Sequence, residues 1–272
     1  MNFTVEKEQE LLEFLLEKIK NKSKNTIKSL LSHEMVLVNK KVVTKYNYLL
    51  KKNYTVEIIK KINDIDIIYE DNNIIVVNKP SGLLSISTEK ETEKTLYKYI
   101  SDYVKKSNKN AKIFVVHRLD KDTSGIVIFS KNQDFKNKLQ QNWNDEVIRN
   151  YYAVVEGILE KKSGTIKSYL KENSFHKTYS SNKGELAITN YEVIKTNDLY
   201  SLLKVNIKTG KKNQIRVHLS DINHSIVGDK KYGSKIRAKR LMLCAYNVEF
   251  KNNSKYKFEI PYPEEFKKYI KA

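Results

Sequence analysis

The chain has 272 residues, enough for about two domains or one large domain with a small appendage. With 40% apolar and 31% charged residues it can bury a core, which argues against disorder along most of its length. No apolar run approaches 18 residues and the first residues are acidic, which disfavours a membrane or secreted protein. The single cysteine, Cys244, disfavours a disulfide framework and a multi-cysteine zinc site. Together these features predict a cytoplasmic protein.

A formal net charge of +19 favours a polyanionic partner, because each Lys or Arg that neutralises a phosphate releases counterions. A solvated basic surface is the alternative interpretation. Arginine is rare among the 51 basic residues, and its planar fork does what lysine cannot, so each position is informative. The arginines are Arg118, Arg149, Arg216, Arg237 and Arg240.

The first 62 residues form a predicted basic domain. Apolar spacing predicts a helix over Leu11–Ile19 and a second from about Lys24, followed by short strands at Met35–Val38, Lys41–Thr44 and Tyr54–Ile59. Between residues 18 and 61 there are twelve Lys and two Glu. The order of two helices and a basic hairpin resembles a small RNA-binding domain of the ribosomal-protein S-four type, although the turn glycines usual there are missing. A generic α+β appendage is the alternative.

From residue 63 to 272 the pattern predicts an α+β domain with a mainly antiparallel or mixed sheet. The predicted strands are Ile65–Tyr69, Ile74–Val77, Phe114–Arg118, Ile126–Ser130, Tyr151–Glu156, Ala187–Ile194 and Leu202–Lys208. Helices are predicted over Leu96–Val104, Phe135–Trp143 and Gln214–Leu219, the last because helical spacing groups its apolar residues.

The densest group of reactive side chains is His117-Arg118-Leu119-Asp120-Lys121-Asp122-Thr123-Ser124-Gly125, between two predicted strands. A loop held by two strands is a common place for catalytic residues. The same pattern also fits a polar turn in which Asp120 or Asp122 caps backbone amides. A metal site of His117 with one of these carboxylates lacks an evident third ligand.

This loop, His117–Gly125, is similar to the HRLDxxTSG signature of the RluA-type pseudouridine synthases. Further segments resemble the other motifs of that family in the expected order. They are VVNKPSGLLS (Val76–Ser85), RNYYAVVEG (Arg149–Gly157), the long third motif (Lys208–Gly233), RLMLCAYNVEF (Arg240–Phe250) and PYPEEFKKYI (Pro261–Ile270).

Some positions depart from the family pattern. Lys211 and Asn213 stand where the third motif has Arg and His, Asn223-His224-Ser225 replaces Gly-His-Pro, and Cys244 replaces a His. These changes affect the expected RNA contacts or substrate choice.

The resemblance implies an isomerase that breaks the bond from ribose to uracil N1 and rejoins the base through C5. No group enters and no redox change occurs, so it implies no cofactor and no metal. It assigns Asp120 as the catalytic carboxylate, by nucleophilic attack or by a glycal route. Arg216 is its expected bidentate partner, and Tyr151 would stack on the base and move a proton at C5.

Other residues are expected to bind substrate or RNA. Arg118 would fill the space left by the flipped uridine. Lys79 would shape the rim and meet phosphate, and a plain turn that ends the strand is an equal interpretation of this position. His117, Thr123, Lys24 and Lys28 complete the predicted RNA contacts.

The expected partner is RNA: ribosomal RNA of the large subunit first, transfer RNA second, with a monomer as the default state. Two other functions remain open, a binding-only RNA chaperone with a degenerate catalytic fold and a nucleoside glycosidase using the same carboxylate.

Overall fold

The computed structural model describes residues 2–20, 23–32, 34–62, 65–89, 91–252 and 254–271. The chain divides into two compact units, Met1–Ile68 and Tyr69–Ala272. The sequence predicts a domain boundary between residues 62 and 63. Residues 63 and 64 lie outside the described residues.

The first unit contains short strands and two helices. They are β1 (Asn2–Thr4), β2 (Gln9–Glu10), α1 (Leu11–Lys18), α2 (Lys24–Ser32), β3 (Val36–Val38), β4 (Lys41–Val42), β5 (Leu49–Leu50), β6 (Thr55–Ile58) and β7 (Lys60–Ile62). β7 pairs antiparallel with the first residues of β8 (Ile65–Glu70), the strand in which the chain passes into the second unit.

Four of these strands form a sheet in the order β1-β6-β3-β4, and β2 pairs separately with β5. The β3–β4 hairpin turns at Asn39 and Lys40, both with positive φ, as a two-residue hairpin turn of the primed type requires. The apolar faces of α1 and α2 are buried with the sheet. The core includes Leu11, Phe14, Leu15, Ile27, Leu31, Val36, Leu50 and Val56.

The second unit carries the larger sheet and the remaining helices. Its elements after β8 are β9 (Ile74–Lys79), α3 (Leu96–Ser107), β10 (Phe114–Val115), β11 (Ser124–Ser130), α4 (Gln133–Gln141), α5 (Trp143–Glu146), β12 (Ile148–Glu156), β13 (Ser163–Glu172), β14 (Thr178–Ser181), β15 (Glu185–Thr196), β16 (Tyr200–Ile207), α6 (Gln214–Asp221), β17 (Leu243–Asn252), β18 (Ser254–Glu259) and α7 (Glu264–Ile270).

The strands run in the order β14-β13-β15-β16-β12-β17-β11-β9, with β10 beside β11 and β18 beside β17. All these neighbours are antiparallel except β11 and β17, which pair in parallel at Ser124–Cys244 and Gly125–Ala245. Gly125 has φ +118, and a Cβ there would lie 2.2 Å from the Ala245 carbonyl oxygen. Only glycine therefore allows the two strands to approach at the point where the loop before β11 ends.

The predicted α+β class with a mainly antiparallel sheet is confirmed, as is the helix over the Gln214 segment. The strand predicted over Phe114–Arg118 is too long, since β10 ends at Val115. The carbonyls of Val115 and Val116 both accept from the Gln140 amide, so side-chain bonds replace the ladder there. The sequence patterns missed β13, β14, β17 and β18.

No helix within the described parts of the chain is both long and apolar enough to cross a bilayer.

Candidate active site

The loop from Val116 to Thr123 joins β10 to β11 and carries Asp120. The buried Ser85 hydroxyl donates to the Leu119 carbonyl at 2.7 Å and accepts from the Leu119 N–H at 3.1 Å. On the other side of Asp120, Lys79 Nζ donates to the Lys121 carbonyl at 2.9 Å. Because both neighbours are held by buried side chains, the backbone at Asp120 is fixed without using its carboxylate.

Lys79 does not lie on the rim, which corrects the expectation that it meets phosphate. It is fully buried, and its ammonium donates to the carbonyls of Pro80, Leu83 and Lys121 at 2.7 to 3.0 Å. Three acceptors use all three donors of an ammonium. Burial lowers the pKa of Lys79 to about 7. Lys79 stands at the end of β9, and its ammonium links the loop after β9 to the loop before β11.

Asp120, Tyr151 and Arg216 line one pocket of about 330 Å³. The volume lies at the lower end of the range for small-ligand pockets, roughly 300–1,000 Å³. The loop before β11, strand β12 and helix α6 each contribute one of the three residues. The structure therefore brings together the three residues predicted to be catalytic.

Burial raises the pKa of Asp120, while the positive charges of Arg216 and Arg118 act in the opposite direction. Lys79 and a hydrogen bond from the Asn213 backbone N–H also favour the ionised carboxylate. The pKa nevertheless remains above the ordinary value for aspartate. The site thus holds a carboxylate whose cost of burial is partly offset by cations.

Arg216 does not form its bidentate pair with Asp120, as the sequence predicted, but with Asp229. Its Nε and Nη2 donate to the two Asp229 oxygens, each at 2.7 Å, and its Nη1 donates to Asn213 Oδ1 at 3.0 Å. Both side chains are buried. Burial lowers the pKa of Arg216, but Asp229 and the charge of Asp120 raise it overall. Arg216 therefore acts on Asp120 by charge, while Asp229 fixes its orientation.

The turn before α6 also donates a hydrogen bond to Asp120. Asn213 precedes the helix with φ 55 and ψ 18, in the left-handed region that asparagine tolerates better than most residues. This conformation accompanies the N–H bond to Asp120 and the Oδ1 contact to Arg216. The departure from the family pattern at Asn213 thus places a residue suited to the backbone conformation.

Tyr151 lies at a register shift between β12 and β17 and is 8% exposed. Burial raises its pKa to about 12, with the charge of Arg149 lowering it and that of Asp120 raising it. A neutral phenol at this position can stack on a ring and donate or accept one hydrogen bond.

His117 lines the same pocket, but its polar edge is used within the protein. Its Nε2 accepts from the Ile128 N–H at 3.1 Å. Its ring stacks on the Trp143 ring, with the two ring centres 4.7 Å apart. Burial, helped by the charge of Arg149, lowers the pKa of His117 to about 3, so the ring is neutral. No group of three metal-ligating His, Cys, Asp or Glu residues occurs in the described ranges of the chain.

The remaining predicted residues fall into two places. Arg118 is exposed at the pocket and Thr123 is buried in its wall, with the Thr123 N–H donating to the Asp120 carbonyl at 3.2 Å. Lys24 and Lys28 are exposed on α2 in the first unit, and Lys28 Nζ lies 5.7 Å from the centre of the Tyr46 ring.

A second, open cleft of about 780 Å³ shares Asp120, Asn213 and Arg216 with this pocket. We call it the basic cleft, because its wall is rich in cations. They include Lys121, Lys212, Lys230, Lys231, Lys239 and Arg240.

Sequence reasoning missed Asp229, Asn213 and Arg149 as members of the site. The sequence predicted that a buried Asp120 needs an arginine and assigned Arg216 to it, but the spacing along the chain could not show that Arg216 pairs with a different carboxylate. The third motif does contain Asp229, thirteen residues after Arg216.

The Arg216–Asp229 pair is predicted to support the stability of the second unit. In Asp229→Asn the buried guanidinium loses its counter-ion, which costs about 3–5 kcal/mol. Asp229 also accepts from the N–H groups of Lys231 and Tyr232, so the following turn should loosen as well. Urea unfolding followed by tryptophan fluorescence measures the change. Glu185→Gln, which removes the exposed partner of Lys211, is the control and should cost less than about 1 kcal/mol. Equal effects of the two variants would contradict this role.

Comparison with known proteins identifies the family. Residues 73–221 match the family model described as RNA pseudouridylate synthase. An uncharacterized RNA pseudouridine synthase of Aquifex aeolicus is 32% identical over 299 residues, covering 98% of this chain and 95% of the relative. One from Bacillus subtilis is 33% identical over 226 residues, covering 78% and 74%.

A relative from Borreliella burgdorferi, the ribosomal large subunit pseudouridine synthase D, is 36% identical over 216 residues and covers 74% of this chain and 66% of its own. Among solved structures, human RNA pseudouridylate synthase domain containing 4 shares the fold, with a TM-score of 0.64 at 22% identity over 74% of this chain and 89% of that one. The chain belongs to the RNA pseudouridylate synthase family and is an RNA pseudouridine synthase, an isomerase.

Proposed function

We propose that this enzyme converts specific uridines of large-subunit ribosomal RNA to pseudouridine, with Asp120 as the catalytic carboxylate. The observation that carries the assignment is the composition of the pocket. Among the described residues that line it, Asp120 is the only acidic one, and Tyr151 and Arg216 lie in the same wall. A single carboxylate beside an aromatic ring suits a reaction at the bond between a sugar and a base.

The carboxylate can act on the ribose in two ways. It can attack C1′ and form an ester, which C5 of the uracil later displaces. It can instead take the proton from C2′ and assist elimination to a glycal, to which C5 adds at C1′ while C2′ regains that proton. In both routes the pair of electrons of the C1′–N1 bond leaves with the uracil, the base turns over the Tyr151 ring, and C5 takes the place of N1. The proton on C5 is then lost and N1 gains one, so the product is an isomer of the substrate.

A base within a helix cannot reach Asp120, so the uridine must leave the stack at a cost of a few kcal/mol. Arg118 is exposed on the loop only two residues from Asp120. Its guanidinium is suited to stack on the bases beside the vacated position, which would offset part of this cost.

Two further surfaces support RNA as the partner. The basic cleft opens next to Asp120, and its cations suit the phosphates that flank the target nucleotide. The first unit resembles an S-four-type RNA-binding domain in its order of helices and hairpin, and Lys24 and Lys28 stand on the exposed side of α2. We assign to this unit, with its predicted boundary at residue 62, a second grip on RNA.

The choice of ribosomal RNA is supported by two relatives. The chain is 36% identical to the ribosomal large subunit pseudouridine synthase D of Borreliella burgdorferi and 32% identical to that of Blochmanniella floridana. Transfer RNA is the alternative substrate, and mapping pseudouridine in total RNA with and without the gene separates the two.

Asp120→Asn is expected to bind RNA normally and to form no pseudouridine, because the amide can neither attack C1′ nor take the proton from C2′. Tritium release from C5 of labelled uridine in unmodified large-subunit RNA measures turnover. Asp122→Asn, a neighbouring exposed carboxylate, is the control and should remain active. Substantial turnover by Asp120→Asn would refute the assignment, binding without turnover by the native protein would indicate a chaperone, and free uracil would indicate a glycosidase.

Arg118→Ala is expected to lower both RNA affinity and turnover. Since the Arg118 charge favours the ionised form of Asp120, its loss should also raise the Asp120 pKa and move the acid side of the pH–rate profile to higher pH. Single-turnover rates at saturating enzyme across the acid range test this, with exposed Arg237→Ala as the control. An unchanged profile with unchanged affinity would remove Arg118 from the mechanism.

The double variant Lys24→Ala with Lys28→Ala is expected to weaken RNA binding without abolishing it. If both lysines neutralise phosphates, the slope of log affinity against log salt should fall by about 2. Lys105→Ala with Lys106→Ala, exposed at the end of α3, makes the same change in net charge in the second unit. Binding curves at several salt concentrations that coincide for the two double variants would argue against a specific role for α2.

A further inference from the structure

Arg149 is a second buried arginine in the pocket, on the same strand as Tyr151. The two residues are two positions apart on β12, so strand alternation directs both side chains to the same side. Arg149 is 5% exposed and lines the pocket that holds Asp120 and Tyr151.

No carboxylate pairs with Arg149 among the described residues, unlike Arg216 with its Asp229. Its Nη2 donates only to neutral oxygens, Asn144 Oδ1 at 3.1 Å and the Lys208 carbonyl at 3.3 Å. The Nε is buried without any acceptor. Nη1 has no protein acceptor in the described structure and points to Gly210, where a Cβ would lie only 2.9 Å away.

A buried cation without a counter-ion is costly, and an apolar residue of similar volume would relieve that cost. Its surroundings disfavour the charge, since burial lowers the pKa of Arg149. The Arg149 guanidinium carbon lies 5.9 Å from the centre of the Trp143 ring, and this cation–π contact offsets only part of that cost. A buried positive charge without a counter-ion in a pocket wall is best explained by a ligand that brings negative charge into the pocket.

The positions of the groups in the pocket indicate which part of the ligand reaches Arg149. Asp120 lies on the loop before β11, whereas Tyr151 and Arg149 lie two residues apart on β12, and all three line the pocket. With the ribose at Asp120 and the base on Tyr151, the uracil and its O2 and O4 oxygens lie against the strand that also carries Arg149.

We propose that Arg149 is the fixed counter-charge for the uracil anion that exists between cleavage of the N1 bond and formation of the C5 bond. When C1′–N1 breaks, its electron pair stays on the uracil and the charge spreads over N1, O2 and O4. Arg149 holds that anion in place while the base turns. The anion then forms the bond from C5 to C1′, and the proton from C5 goes to N1. This inference rests on the proposed roles of Asp120 and Tyr151.

Arg149→Met tests the proposal by separating rate from binding. Loss of one preorganised donor set against a developing charge lowers the rate constant by about 100-fold to 1,000-fold. The affinity for unmodified large-subunit RNA should change less than about twofold. Arg149→Lys keeps the charge without the fork and should fall between. A large loss of affinity and of salt dependence, with an unchanged saturated rate, would instead assign Arg149 to an RNA phosphate and overturn the proposal.

The leaving group supplies a second readout. Fluorine at C5 withdraws electrons, so the anion of 5-fluorouracil needs less stabilisation than that of uracil. The single-turnover loss of 5-fluorouridine from the same RNA should therefore be impaired much less by Arg149→Met than the loss of uridine. Equal impairment of both substrates would indicate a merely structural role.

Thermal stability completes the test. Arg149→Met should leave Tm unchanged or raise it, because the variant removes an unpaired buried charge. Arg216→Met is the matched control and should lower Tm, since it leaves Asp229 unpaired. A drop in Tm for Arg149→Met as large as that for Arg216→Met would contradict the proposal. An active Asp120→Asn enzyme would overturn the proposed function instead, whatever Arg149→Met does.

Discussion

The buried pair of Arg216 and Asp229 is the interaction on which the site depends. A carboxylate held by both prongs of an arginine has its oxygens engaged and cannot easily approach a sugar. Asp229 takes that position, so Asp120 receives the positive charge of Arg216 while the guanidinium fork is occupied elsewhere. The division separates two requirements that a single carboxylate could not meet: one group orients the cation, and the other remains available for chemistry. Asp229 also fixes the turn that follows it, which links the orientation of Arg216 to the wall of the basic cleft.

The backbone around Asp120 is also held without the use of its carboxylate. Ser85 and Lys79 hold the residues on either side, and Thr123 closes the turn, all through main-chain groups. Gly125 then brings β11 against β17, whose neighbour β12 carries Tyr151 and Arg149. Rigid strands thus set the distance between the loop and the opposite wall. The pocket combines one carboxylate, the exposed Arg118, two buried arginines with different hydrogen-bond partners and one neutral phenol. This combination suits a reaction that develops negative charge on the base and ends without adding or removing atoms.

The structure shows where part of the net positive charge lies relative to Asp120. The cations near Asp120 lie in a cleft beside the pocket, where RNA phosphates flanking a flipped nucleotide would pass. Arg149 differs from these cations because it is buried and unpaired, and so it is suited to one ligand charge within the pocket. The positive charge therefore occurs in two settings: exposed lysines line the basic cleft, and the buried arginines Arg149 and Arg216 line the pocket beside Asp120.

The sequence by itself determined the family and the fold class and indicated candidate reactive residues, because local patterns and ordered motifs report on strands, helices and the loop that carries Asp120. It also predicted Arg216 as the bidentate partner of Asp120. Only the tertiary structure decided that Arg216 pairs with Asp229 instead, that Lys79 is enclosed by three carbonyls, and that Arg149 has no counter-ion in the described chain. These facts concern partners that are distant in sequence and depend on which strands lie side by side. The physical reason is that hydrogen bonding and burial are properties of the packed molecule, whereas spacing along the chain specifies only which side chains share a face.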